Sequence, residues 1–258
     1  MSAIPGNAGV SPARCGQDGR APILTLKVLS ALLGYPQAET LAALDEMAEA
    51  VERERLLAPP QAGALLAFID AWRSADLLEL QENYVALFDR GRNLSLHIFE
   101  HVHGESRDRG QAMVDLLALY ESHGFELATR ELPDYIPLFL EYLSQQSHAA
   151  AASLLRDAMP VLSLLGARLA ERGSAYHVLL DALAGIAGQP AEAEGIRRRA
   201  AAEEPDQTLL RMDEIWEEEA VSFLGNPNAC QKPSATEHPI VVAPPRAPQP
   251  HAQPENRP

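Results

Sequence analysis

Cysteine is almost missing from this 258-residue chain: Cys15 and Cys230 are the only two, far apart and in no CxxC arrangement. No disulfide framework or paired-thiol metal motif can be built from them, and a reducing compartment is the simpler inference. Residues that suit a pleated surface are scarce as well, since Val, Ile and Thr together number 25. That balance leans strongly towards helix and away from sheet. No apolar run approaches the length of a membrane span. The N-terminus has no basic start followed by an apolar run, so it does not read as a signal peptide. Positive charge is in deficit, with 21 Lys and Arg against 36 Asp and Glu and a net charge of -15. Such an excess of acid repels phosphate backbones and anionic lipid, so neither nucleic-acid binding nor stable membrane association is expected. It favours a basic partner and serves solubility equally. The phosphate-cradling GxxxxGK[ST], the GxGxxG loop and the GxSxG elbow are all lacking, and neither cysteine has a local histidine. Nucleophilic catalysis has no visible support.

What remains is rich in Leu and Ala, the best helix formers, and the apolar positions recur with helical spacing. Leu24, Val28, Leu29 and Leu32 share a face, and Gly34 then Pro36 end that helix as a left-handed cap and a stop. A second helix is expected from Glu39 to Arg55, with Leu41, Leu44, Ala48 and Val51 as its stripe. Leu65, Phe68, Ile69 and Trp72 mark a third after Pro59 and Pro60. Ser74 or Asp76 caps a fourth, which carries Leu77, Leu80, Tyr84, Leu87 and Phe88. A short helix near Leu96–Val102 and a longer one with Met113, Leu116, Leu117 and Tyr120 follow. Asp134 is a good N-cap for the helix with Ile136, Phe139, Leu140 and Leu143, and Pro137 suits its first turn. Pro160 should split or kink the Ala- and Leu-rich stretch from His148 to Arg172. Ser174 caps a last helix, which Gly188 and Pro190 end.

The expected organisation is all-α: a single-domain helical bundle over residues 23–187 with disordered termini. Residues 1–22 read as a disordered N-terminal arm. Residues 188–224 read as an acidic extension with a weak helix. Nine prolines in residues 225–258 mark a disordered Pro-rich tail.

The enzyme-like signal is the cluster His97, His101 and His103 with Glu100 and Glu105. His97 and His101 are four apart and would share a helical face able to hold zinc. The hydrolase helix HExxH needs its glutamate directly after the first histidine, and Ile98 stands there. The imidazoles serve equally well as caps and carboxylate partners. A helical metal-dependent hydrolase using His97, His101 and His103 is thus the alternative to a binding protein. A scaffold bundle with no client is the third possibility. Apolar helices with acidic faces suit helix-in-groove recognition.

The stretch YVALFDRGRNLSLHIFEHVHGESRDRGQAMVDLLALYESHGF, residues 84 to 125, the following ELPDYIPLFLEYLSQ and the opening ALLGYP resemble the NarJ family. That resemblance implies an all-helical chaperone fold shared with TorD and DmsD, and no enzymatic activity. It implies a cytoplasmic partner, the N-terminal segment of the apo catalytic (alpha) subunit of respiratory nitrate reductase. Such chaperones hold that subunit while molybdenum cofactor is inserted, delay its docking on the membrane anchor, and are not part of the mature enzyme. No cofactor or metal of the chaperone's own is implied. An ExPDH-like recognition motif is matched by Glu131, Pro133 and Asp134, with Tyr135 in place of the histidine. On this basis Leu87, Phe88 and Phe99 are candidate groove walls, if they are not core. Asp89, Glu100, Glu105, Asp108, Glu131 and Asp134 are candidate rim acids. Pro133 and Tyr135 complete the client-binding set, to which His97, His101 and His103 could add hydrogen bonds.

Overall fold

The computed structural model describes residues 10–12, 21–104, 106–127, 131–188 and 195. Expectations for the remainder, the acidic extension and the Pro-rich tail included, lie outside the described residues. Ten α-helices are described, and the fold is all-α as the composition required.

Helix α1 (Leu24–Leu33) is the axis of the bundle. Leu26, Val28, Leu29, Leu32 and Leu33 are all fully buried, as befits a helix apolar on every side. It packs along α8 (Ile136–Ser144), whose nine residues are all buried, and against α3 (Leu44–Glu54). Ser30 Oγ donates to the Pro137 carbonyl at 2.6 Å between α1 and α8. The first turn of α1 is capped from α3. Glu54 Oε1 accepts from the Leu24 N–H at 2.9 Å, and Glu54 Oε2 accepts from the Thr25 N–H at 2.7 Å. Two orphan donors that no local side chain reaches are satisfied in this way.

Gly34 ends α1, but not as the expected left-handed cap. Its φ of -76° and ψ of 168° are extended, and its N–H still closes the helix by donating to the Ser30 carbonyl. The single helix expected from Glu39 to Arg55 is two, α2 (Ala38–Ala42) and α3, with a bend at Ala43. The bend rotates the buried stripe. Met47 and Ala50 join Leu44 and Val51 inside, while Leu41 and Ala48 are only partly covered.

Pro59 opens α4 (Pro59–Arg73), where its missing N–H costs no intrahelical bond. Asp76, not Ser74, caps α5 (Leu77–Phe88), its Oδ1 accepting from the Leu78 N–H at 2.9 Å. A short helix α6 (Ile98–His103) and a peripheral α7 (Asp108–Ser122) follow. Val10–Pro12 (β1) pairs antiparallel with Phe125–Leu127 (β2), adding an extended segment to a stretch with no sequence period.

Helix α9 (His148–Glu171) is continuous through Pro160, so the expected split is absent. Pro160 faces solvent, where water can serve the carbonyl it leaves free. By length and composition α9 is the one described helix able to cross a membrane. Its buried stripe, Ala151, Leu155, Met159, Leu162, Leu165 and Leu169, instead packs on α10 (His177–Ala187) and touches α8 and α6. Gly166 lets α9 and α10 close, since a Cβ there would sit 3.0 Å from Leu180 Cβ. Ser174 lies three residues before α10 and accepts from the Tyr176 N–H at 3.4 Å, forming the entry turn rather than the cap itself.

Candidate functional site

Two stretches distant in sequence are stitched together beside α1. The Ile98 N–H donates to the Asp134 carbonyl at 3.1 Å, and the Ile136 N–H donates to the Leu96 carbonyl at 2.8 Å. His97 and Tyr135 thereby face each other in an antiparallel bridge. The Asp134 carboxyl lies beneath, with no exposed surface. Its Oδ2 accepts from the Phe99 N–H at 3.1 Å and its Oδ1 from His97 Nδ1 at 3.1 Å. Asp134 is therefore a cap, but of α6 rather than of the helix that follows it. Helix α8 starts after Tyr135 with no side-chain cap and carries Pro137 in its first turn. A buried carboxyl cannot stand on a rim, which corrects the expected placement of Asp134.

Above this stitch lies an open cavity of about 750 Å³. Its floor is aromatic: buried Tyr84 and Phe88 from the end of α5, and half-buried Tyr135. Tyr84 OH donates to the Leu33 carbonyl at 3.2 Å, which leaves Tyr135 OH to donate to Tyr84 OH at 3.1 Å. Tyr35, from the linker after α1, meets the Tyr84 ring edge-on at 5.5 Å. Behind the floor Tyr176 packs on Phe88 at 5.0 Å. Burial pushes the phenols of Tyr84, Tyr135 and Tyr176 up from 10.0, and Glu131 adds to the shift at Tyr84 and Tyr135. All three keep their proton at any physiological pH, and Tyr84 and Tyr135 use theirs as donors.

The rim carries both signs, where an acidic edge was expected. Asp89, Glu100 and Glu131 line it together with Arg90 and Arg92. Glu100 is half-compensated already, 3.2 Å from Arg109 on α7.

Of the expected site residues, the cavity thus brings together Phe88, Asp89, His97, Glu100, Glu131 and Tyr135. The others lie elsewhere. Leu87 and Phe99 pack against the core. Pro133 is buried, its carbonyl accepting from Tyr120 OH at 2.8 Å. Asp108 sits exposed in the first turn of α7, and His103 stacks against Phe99. Glu105 falls outside the described residues. His101 turns away from the cavity. Its Nε2 donates to the Ser95 carbonyl at 2.8 Å, and its Nδ1 accepts from Arg168 Nη1 at 3.3 Å. With His97 on Asp134 and both His101 nitrogens engaged, the three imidazoles do not converge. Among the described residues no group of three or more His, Cys, Asp or Glu is placed to hold a metal. The metal-hydrolase alternative loses its ligand set.

Tyr35, Tyr84, Arg90 and Arg92 were missed. Each stands in a stretch that carries the family resemblance, GYP, YVALF or FDRGR. An exposed tyrosine directly before a proline, and paired arginines flanking a glycine, were the available signals.

Fold and cavity together define a helical binding protein. The profile of the nitrate reductase delta subunit family matches residues 38–182, which hold the stitch and every cavity-lining residue but Tyr35. The nitrate reductase molybdenum cofactor assembly chaperone NarJ of Escherichia coli K12 is 45% identical over 216 residues, 84% of this chain and 91% of that protein. NarW of the same strain is 45% identical over 206 residues, covering 80% and 86%. NarJ of Bacillus subtilis strain 168 is 33% identical over 174 residues, covering 63% and 90%. The chain belongs to the nitrate reductase delta subunit family, among its NarJ-type chaperones, and is not an enzyme.

Proposed function

We propose that this chaperone serves respiratory nitrate reductase, and that its cavity receives the N-terminal segment of the apo catalytic subunit. It acts in the cytoplasm while the molybdenum cofactor is inserted, before that subunit docks on its membrane anchor. It then leaves, and is not part of the mature enzyme. The observation that carries this reading is the aromatic-floored cavity of about 750 Å³ at the junction of the resemblance stretches. One helical turn, 5.4 Å long and about 11 Å across, fills roughly 500 Å³. The cavity therefore takes between one and two turns of an amphipathic helix, enough for a few anchoring side chains. Rim groups of both signs fix the register of such a helix more than they add affinity. The net charge of -15 speeds encounter with a basic segment.

Calorimetric titration of the full chain with a peptide of the client's N-terminal segment tests this. Saturable binding is expected, weakened by Tyr84→Ala in a folded variant. A folded wild-type chain that takes up no peptide between pH 6 and 8 sinks the reading.

A further inference from the structure

The cavity wall from Arg92 to Leu96 has little structure of its own. It contains a single 3-10 turn, Arg92–Leu94, and then an extended residue, Ser95. Leu94 and Leu96 anchor it by burial. Two of its backbone carbonyls, those of Asn93 and Ser95, are held from outside by side chains that do not line the cavity. Arg168, on α9, reaches the Asn93 carbonyl with Nη1 at 2.9 Å. The same nitrogen carries a second hydrogen and donates to His101 Nδ1 at 3.3 Å. His101, on α6, passes the contact on, with Nε2 donating to the Ser95 carbonyl at 2.8 Å.

Guanidinium has donors and no acceptor, so Nδ1 of His101 must be bare and Nε2 must carry the proton. The network is therefore directional. Arg168 grips one carbonyl of the wall itself and fixes the tautomer of the histidine that grips the next but one. Arg92, Ser95 and Leu96 of the same short wall face the cavity.

We infer that Arg168 is a positioning residue for client binding, setting the wall of the cavity through Asn93 and through His101. The inference rests on the reading of the cavity as the client site. A mere stability staple at this place would cost folding free energy without acting on the wall in particular. A positioning residue loosens the wall first and weakens binding while the bundle stays intact. Arg168→Lys keeps a multi-donor cation on α9 and should recover much of what Arg168→Met loses.

The test uses the full chain, the peptide of the client's N-terminal segment, and four variants: Arg168→Met, Arg168→Lys, His101→Leu and the Met/Leu double variant. Arg168→Met is expected to weaken peptide binding about tenfold, the scale of one charge-assisted hydrogen bond. The double variant should bind no worse than the weaker single one, because both act through one network. Amide exchange should quicken in residues 92–97 and stay unchanged in α1 and α8. Binding by Arg168→Met equal to wild type, additive losses, or exchange rising equally in α1 and α8 would overturn the inference. If the wild-type chain takes up no peptide, the functional reading falls instead. The exchange arm then decides alone whether Arg168 holds the wall.

Discussion

Replacing Asp134 separates a buried stitch from an ordinary helix cap. At an exposed N-cap, Asp→Ala costs about 1 kcal/mol. Asp134 is fully buried and takes two hydrogen bonds, from the Phe99 N–H and from His97 Nδ1. A bond to a charged acceptor is worth about 1.5–3 kcal/mol net, and a donor stranded by the loss keeps its desolvation cost. Two such bonds set an expectation of about 3–5 kcal/mol for Asp134→Ala. In a domain of this size that lowers Tm by about 6–15 °C. Asp134→Asn retains one acceptor oxygen and should lose about half as much. The assay is urea denaturation of Asp134→Ala, His97→Ala and the double variant. A coupling energy above about 1 kcal/mol is expected for this contacting pair. A single Asp134→Ala loss within about 1 kcal/mol of wild type, or strict additivity with His97→Ala, would refute the argument that the carboxyl joins the two stretches.

Tyr176 OH is buried without a protein partner among the described residues. Tyr176→Phe should therefore be neutral or stabilising by about 1 kcal/mol in thermal denaturation, and a loss greater than that would reveal a partner. Burial raises all five phenols of Tyr84, Tyr120, Tyr135, Tyr142 and Tyr176, with Tyr142 pushed up to about 12. A phenol that holds its proton more tightly when folded contributes fully below the unfolded pKa of 10.0, and that contribution is lost as pH climbs through the folded value. Tyr142 should therefore lose its contribution as pH climbs from 10 through about 12. Tyrosinate absorbance should rise together with loss of helicity, and independent titration of these five in a folded chain would count against it. Gly166→Ala forces a Cβ to within 3.0 Å of Leu180 Cβ, and repacking two helix backbones costs about 1–3 kcal/mol. Gly185→Ala meets only the flexible end of Gln61, and helix propensity should offset the shift. Equal losses at the two glycines, read from denaturation midpoints, would refute the distinction.

The helices were legible because each needs only local information. Apolar residues at helical spacing mark α1, α4, α5 and α10, and Asp76 and Pro137 sit where capping and first-turn chemistry place them. What sequence could not show was partnership across the chain. Asp134 stands just before a helix and looks like its cap, yet its carboxyl bonds to His97, 37 positions earlier, and to the Phe99 N–H in the first turn of α6. Glu54 caps α1 from 30 residues on, where nothing local hints at it. The bend at Ala43 carries no Gly or Pro to announce it in sequence. The rim failed for a similar reason: net acidity describes the whole chain, and Arg90 and Arg92 reverse it locally. Six expected residues reached the cavity because the motif stretches themselves were right. The silent members, Tyr35 and Tyr84, come from segments that meet only once α1 and α5 are packed.

The bridge between His97 and Tyr135 also closes a detour. The described chain between them, α6, α7 and β2 included, departs and returns at nearly the same spot, with α6 resting on α9 along the way. Within α7 only Tyr120 is buried. The segment is nevertheless fastened to the bundle by buried Ile98, Tyr120 and Phe125, the last two packed on Tyr142 of α8 at 4.5 and 5.4 Å. Glu100 belongs to that excursion while Glu131 sits beside the point of return, so the mouth of the cavity is built where the chain departs and rejoins.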